Sequence, residues 1–248
     1  MFTLKRTADR RNGVTTTPPR TARTQPGAEL GGKTIVVIGG SAGIGLEIAR
    51  RAQAEGADVI LTGQDPERLE RAALEIGARS AHTVDAGDPA ALQRFFDELP
   101  VPIDHVVVTG GGPHDGPLVE LQAAQLRGAV SERLALAVAR SAAGQMGPGG
   151  TLLLVDGSGA RRIRRDVRVG AAGTAVGPVF AAALAAALAP LRVRVELLAP
   201  GVADTPALGR AVEADDVAAL AVHAMANTPL TGATDDLDGG RRRLARAV

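Results

Sequence analysis

From Gly32 onward the chain alternates short β-rich runs with longer stretches whose apolar positions recur every three or four residues. The strand-like runs are Thr34–Ile38, Asp58–Thr62, Ser80–Val84, His105–Thr109, Thr151–Val155 and Arg192–Leu198. Between them lie amphipathic stretches such as Leu46–Glu55, Pro66–Ile76 and Pro89–Leu99. Apolar strands without polar alternation are covered on both faces, which is the signature of a parallel sheet. Strand and helix repeated in this order predict right-handed crossovers and an α/β, doubly wound, Rossmann-type parallel sheet in a single domain. No internal repeat is visible.

Residues 1–31 break this pattern. They hold Pro18, Pro19 and Pro26, many threonines, and Lys5, Arg6, Arg10, Arg11, Arg20 and Arg23 against Asp9 and Glu29. Without apolar periodicity such a segment reads as a flexible tail, with the domain running from 32 to 248. Its Arg- and Thr-rich, acid-poor character also imitates an organelle transit peptide, although a plain extension is the simpler reading.

The chain has 248 residues, is 45% apolar and 22% charged, and carries a formal net charge of +1. A balance so near zero lacks the electrostatic footprint of a nucleic-acid binder. With no cysteine, disulfides, thiolate catalysis and cysteine-type zinc sites are excluded, and no metal is expected. The uncharged run from Val169 to Leu191 is mostly alanine and contains Gly170, Gly173, Gly177 and Pro178, which argues against a membrane span. A soluble cytoplasmic protein without membrane or nucleic-acid partners is the expectation.

The first strand runs into Gly39-Gly40-Ser41-Ala42-Gly43-Ile44-Gly45, and a helical pattern follows at once. Glycines at 39, 43 and 45 let the backbone turn tightly and approach a pyrophosphate, while the helix N-terminus presents free N–H groups and a positive dipole end. Placed between strand one and helix one of an alternating chain, this loop resembles the glycine motif of the short-chain dehydrogenase/reductase family, with Ile38 in place of the usual leading threonine. Further motifs carry the resemblance to about residue 240. Asp85 and Ala86 follow strand three, where the family contacts adenine. Thr109-Gly110-Gly111 resembles the Asn-Ala-Gly segment closing strand four. Pro200-Gly201-Val202-Ala203-Asp204-Thr205 is similar to the segment that reaches the nicotinamide. Thr231-Gly232 and Asp238-Gly239-Gly240 resemble the closing strand.

The resemblance implies a nicotinamide cofactor held by Gly39, Ser41, Ala42, Gly43, Ile44, Gly45, Gln64, Asp85, Ala86, Thr109, Gly110, Gly111, Pro200, Gly201, Val202 and Thr205. NAD binders place an acid at the end of strand two, to accept from the ribose 2′-hydroxyl. That position is Gly63, followed by Gln64 where NADP-using members often carry arginine. With no acid to repel a 2′-phosphate, NADP(H) is favoured over NAD(H).

The family's chemistry uses a Tyr-x-x-x-Lys pair, a serine that polarises the carbonyl and an asparagine on a preceding helix. The oxyanion that forms when hydride reaches a carbonyl needs an acid beside it. This chain contains no tyrosine, and its only lysines are Lys5 and Lys33. Alignment by the flanking motifs puts Gly170 at the Tyr position, Thr174 at the Lys position, Asp156 at the Ser position with Ser158 two residues beyond, and the Asn near Ser131. Gly170, Gly173, Gly177 and Pro178 also disfavour a helix, since Gly costs about 1 kcal/mol and Pro about 3 kcal/mol relative to Ala. The helix is therefore expected to start, or kink, near Pro178, leaving a rebuilt catalytic scaffold.

What remains for catalysis is Asp156, Ser158, and His114 and Asp115 in the loop after strand four, where strand ends line the ligand crevice. An imidazole beside a carboxylate suits acid/base work; the same dipeptide beside glycine and proline also suits a solvated turn. The cluster Arg161, Arg162, Arg164, Arg165 and Arg168 would bind an anionic substrate group bidentately, although a solvated or inter-subunit surface is the simpler reading. The small-residue helix Ala181–Ala189 implies a homodimer or homotetramer by family resemblance, with Ala185 the position where an arginine should break the interface. Three activities stay open: an NAD(P)(H)-dependent oxidoreductase with non-standard residues, a lyase, isomerase or cyclase on the same fold, and a non-catalytic subunit that binds cofactor without turnover.

Overall fold

The computed structural model describes residues 29–99, 102–109, 132–155, 169–200 and 212–237. Seven strands form one parallel sheet in the order β3-β2-β1-β4-β5-β6-β7. They are β1 (Thr34–Ile38), β2 (Asp58–Gly63), β3 (Ser80–Thr83), β4 (Ile103–Thr109), β5 (Met146–Val155), β6 (Arg194–Pro200) and β7 (Thr234–Leu237). The helices are α1 (Gly43–Ala54), α2 (Pro66–Ile76), α3 (Pro89–Asp97), α4 (Glu132–Ala142), α5 (Val169–Leu188) and α6 (Ala214–Ala226). This is the doubly wound architecture that the strand–helix alternation predicts.

Local chemistry explains the element boundaries. Asp65 and Asp88 cap α2 and α3, their carboxylates accepting from the N–H groups of Arg68 (3.0 Å) and Ala90 (2.9 Å). Pro66 and Pro89 then fill the first helical turn, where no N–H is needed. Gly77 closes α2 in the left-handed conformation at φ 66°.

The sheet separates two cores. On one face Val36, Ile38, Val106, Val108, Leu152 and Leu154 pack against α3, α4 and α5 through residues such as Phe96, Val138 and Leu184. On the other, Ile35, Val37, Leu61, Val107 and Leu153 pack against α1, α2 and α6 through Ile48, Leu69 and Val222. Leu30, which composition assigns to the tail, is 1% exposed within this second core, so ordered packing reaches back at least that far.

Helix α5 corrects an expectation. It begins at Val169 and contains Pro178, so it spans positions 170 and 174 instead of starting near the proline. Beyond the proline, Ala181, Leu184, Ala185 and Leu188 are all buried against the sheet, which anchors the C-terminal half of the helix. The backbone that carries positions 170 and 174 is therefore helical. Ala185 faces this core at 8% exposure, so an arginine there would disrupt the fold and not an interface; the exposed small-residue stripe is Ala182, Ala183, Ala186 and Ala187.

Candidate functional site

The sheet order reverses between β1 and β4, and the crevice outside the C-terminal ends of these strands is where such folds bind ligands. The chain leaves β1 through Gly39 at φ +86° and enters α1 through Gly43 at φ +57°, conformations that glycine adopts without strain. Gly40 N–H donates to the Thr62 carbonyl at 3.0 Å, which holds the turn against β2.

Thr109, the last residue of β4, fastens the turn from the other side. Its hydroxyl donates to the Ile38 carbonyl at 2.9 Å and lies 3.2 Å from the Gly39 carbonyl. A Cβ on Gly39 would stand 2.6 Å from that hydroxyl oxygen, and a Cβ on Gly45 would stand 2.4 Å from the Gly39 carbonyl oxygen. Both glycines are thus required by close approach. Gly43 is different, because no atom lies within 4 Å of where its Cβ would be.

The N-terminus of α1 is bare. Ala42 provides no side-chain cap, and the first turn contains no acid. The first N–H groups of the helix therefore keep their donors for a ligand, and the dipole end is not neutralised. An anion such as a pyrophosphate fits this cradle on three counts: open space over Gly43, free donors and favourable charge.

The next positions lie at the ends of β2 and β3. Gly63 is buried, and Ser41 stands against it. Gln64 is exposed and donates from Nε2 to Asp85 Oδ1 at 2.9 Å. Gly87 N–H donates to the same oxygen at 2.9 Å, and Asp88 N–H to the Asp85 carbonyl at 3.0 Å. Ala86 packs on the core beside them. Pro200 ends β6, paired with Leu237. The structure thus brings Gly39, Ser41, Ala42, Gly43, Ile44, Gly45 and Thr109 together at the β1–β4 crevice, with Gln64, Asp85 and Ala86 at the neighbouring strand ends. Gly110, Gly111, His114, Asp115, Ser131, Asp156, Ser158, Arg161, Arg162, Arg164, Arg165, Arg168, Gly201, Val202 and Thr205 lie outside the described residues.

A second polar group escapes pattern reading, since its members interrupt apolar strands. His105, Thr151 and Arg194 are neighbours across β4, β5 and β6, at the edge of the sheet opposite the crevice. Arg194 donates to the carbonyls of Ala224, Asn227 and Leu230 at 3.0 Å and of Met225 at 2.8 Å, and to the Thr151 hydroxyl. Glu196 is fully buried two residues on. Burial, reinforced by Asp235 and opposed by Arg194, pushes its carboxyl up to about 6. Burial also pushes His105 down to about 4, against the pull of Asp104. Among the described residues no group of three or more His, Asp or Glu forms a metal site, and no helix is long and apolar enough to cross a membrane.

Known proteins share this arrangement. A family model described as Enoyl-(Acyl carrier protein) reductase matches residues 39–240. The chain belongs to the short-chain dehydrogenase/reductase family of oxidoreductases. It is 27% identical over 226 residues to the short-chain dehydrogenase/reductase ATR9 of Stachybotrys chlorohalonatus, a match covering 83% of this chain and 87% of that one. It is 41% identical over 71 residues to the NADP-dependent (R)-specific alcohol dehydrogenase of Lentilactobacillus kefiri; that match covers 27% of this chain and only 28% of the relative's length. Among solved structures, a short-chain dehydrogenase from Burkholderia cenocepacia in complex with NADP superimposes with a TM-score of 0.77 at 28% identity, covering 86% of this chain and 99% of that one.

Proposed function

We propose that the protein is an NADP(H)-favouring oxidoreductase of this family that acts on a small molecule without the usual tyrosine. The observation that carries the reading is the cradle formed by Gly39, Gly43, Gly45 and the uncapped start of α1, held by the Thr109 hydroxyl. Gly110, Gly111, Pro200, Gly201, Val202 and Thr205 complete the cofactor site in this reading. The preference for NADP(H) is supported by the missing acid at Gly63 and by the NADP named for the Burkholderia structure and the Lentilactobacillus enzyme.

When bound, the cofactor supplies or accepts hydride. The residues of this chain must then move the proton, and no phenol exists in its 248 residues to do so. We assign that role to Asp156, His114, Asp115 or solvent, with Ser158, two residues beyond Asp156 in the sequence, as a further catalytic candidate. Losing a positioned general acid costs about 10²–10⁴-fold in rate, so turnover is expected to be slow for simple ketones. The domain is taken as 32–248, in a cytoplasmic homodimer or homotetramer, with the arginines from 161 to 168 available to an anionic substrate.

The absence of Tyr favours a second reading, in which the pocket is kept for lyase, isomerase or cyclase chemistry or for binding alone. One experiment separates the two: calorimetric titration with NADPH and NADH, followed by turnover assays on His114→Ala, Asp115→Asn and Asp156→Asn. The oxidoreductase reading expects cofactor binding in all variants and loss of turnover in at least one. Brisk NADPH oxidation with simple ketones that survives all three changes would refute these assignments. Cofactor binding without turnover on any carbonyl would favour the second reading.

A further inference from the structure

Dinucleotide folds read the ribose 2′ substituent at the end of β2, about 20 residues beyond the glycine turn. Here Gly63 has no side chain, and a Cβ placed on it would meet the Cβ and Oγ of Ser41, each at 3.1 Å. The side chain that follows Gly63 is Gln64, which is exposed and tethered by its amide nitrogen to Asp85 Oδ1 at 2.9 Å. Asp85 does not depend on this bond for its position. The Gly87 N–H holds the same oxygen and the Asp88 N–H holds its backbone carbonyl, so the carboxylate is fixed by its own turn. No arginine or lysine pairs with Asp85 among the described residues. A carboxylate with no cationic partner among the described residues therefore stands in direct contact with the amide that follows the acid-free end of β2.

We propose that Asp85 sets the choice between the two nicotinamide cofactors, as a positioning residue that acts through Gln64. It ties up one amide donor that a 2′-phosphate would use, and its charge opposes a second anion at that place. The effect is to restrain a preference for the phosphorylated cofactor that an acid-free β2 end would otherwise express in full. The inference rests on the reading of the crevice as a dinucleotide site.

The test is a titration of NADPH and of NADH into the wild type, Asp85→Asn and Gln64→Ala, read as the ratio of the two affinities. Any weakening that affects both cofactors equally cancels in this ratio. Asp85→Asn removes the charge and is expected to raise the ratio in favour of NADPH by roughly tenfold, the order expected for one charge near a phosphate at a protein surface. Gln64→Ala, at an exposed position, leaves the charge and removes the amide, and is expected to lower the ratio. An Asp85→Asn ratio within about twofold of the wild type, or below it, overturns the proposal while leaving the dinucleotide reading intact. So does a rise in Gln64→Ala. A wild type that binds neither cofactor overturns both.

Discussion

Gly45→Ala puts the phosphate turn to its most direct test, since the added methyl meets backbone and not a yielding side chain. Its Cβ would lie 2.4 Å from the Gly39 carbonyl oxygen and 2.8 Å from Thr109 Oγ1. Restoring ordinary van der Waals separation moves that carbonyl by about 1 Å, in a region packed too tightly to absorb it freely. Overpacking of this kind costs about 1–3 kcal/mol, and disturbing the Thr109 hydroxyl bonds adds about 1 kcal/mol. The sum, roughly 2–4 kcal/mol, corresponds to a fall of about 5–15 °C in Tm for a protein of this size. Gly43→Ala is the control: nothing stands within 4 Å of its Cβ, and only the left-handed φ of +57° costs energy, about 1–2 kcal/mol. Thermal and urea unfolding of both variants, with NADPH titration at 25 °C, measures the difference. The reasoning fails if Gly45→Ala unfolds with the wild type, or if Gly43→Ala is the more damaging change.

Two other outcomes follow from burial. The folded protein resists protonating His105 until about pH 4, whereas the unfolded chain takes that proton near 6.5, so stability should fall as pH drops across this window. The decrease is roughly 3 kcal/mol for this group alone. Glu196 works in the opposite sense between about pH 4.5 and 6, because its folded form holds a proton that the unfolded chain releases. Urea midpoints measured against pH should therefore show a steeper acid loss in Glu196→Gln and a reversed slope in His105→Leu; parallel curves for all three proteins would contradict the assignment. If the exposed face of α5 forms the proposed interface, Ala186→Arg should reduce the mass seen by light scattering at micromolar concentration; an unchanged oligomer would rule this stripe out as the interface, and a monomeric wild type would rule out the assembly.

The elements that were legible in the residues are those whose boundaries are chemical. Asp65-Pro66 and Asp88-Pro89 announce their helices, and the apolar runs at Thr34 and Asp58 announce their strands. Three features obey forces that a local pattern does not contain. β5 starts at Met146, ahead of Pro148, Gly149 and Gly150, because Met146 pairs with Ile103 across a shifted register. β7, with Asp235 and Asp236 in four residues, has almost no strand character of its own and is set by pairing with β6. α5 runs through Pro178, and beyond it the helix is held by the burial of Ala181, Leu184, Ala185 and Leu188, which a local propensity count leaves out. The site divides in the same way. The glycine turn was readable because its conformations demand glycine, whereas the Gln64–Asp85 hydrogen bond joins two strand ends and leaves no mark on either segment alone.

Arg194 stands at the start of β6, at the far edge of the sheet from the crevice, where its guanidinium gathers the end of α6, the chain leading to β7 and the β5 hydroxyl at Thr151. It behaves as a keystone placed away from the doorway. The bonds it makes lie at the opposite ends of the strands from the glycine turn, so a change of side chain near the cofactor leaves them untouched. A chain of this design can give up the tyrosine on which its family relies and still fold around the same cradle.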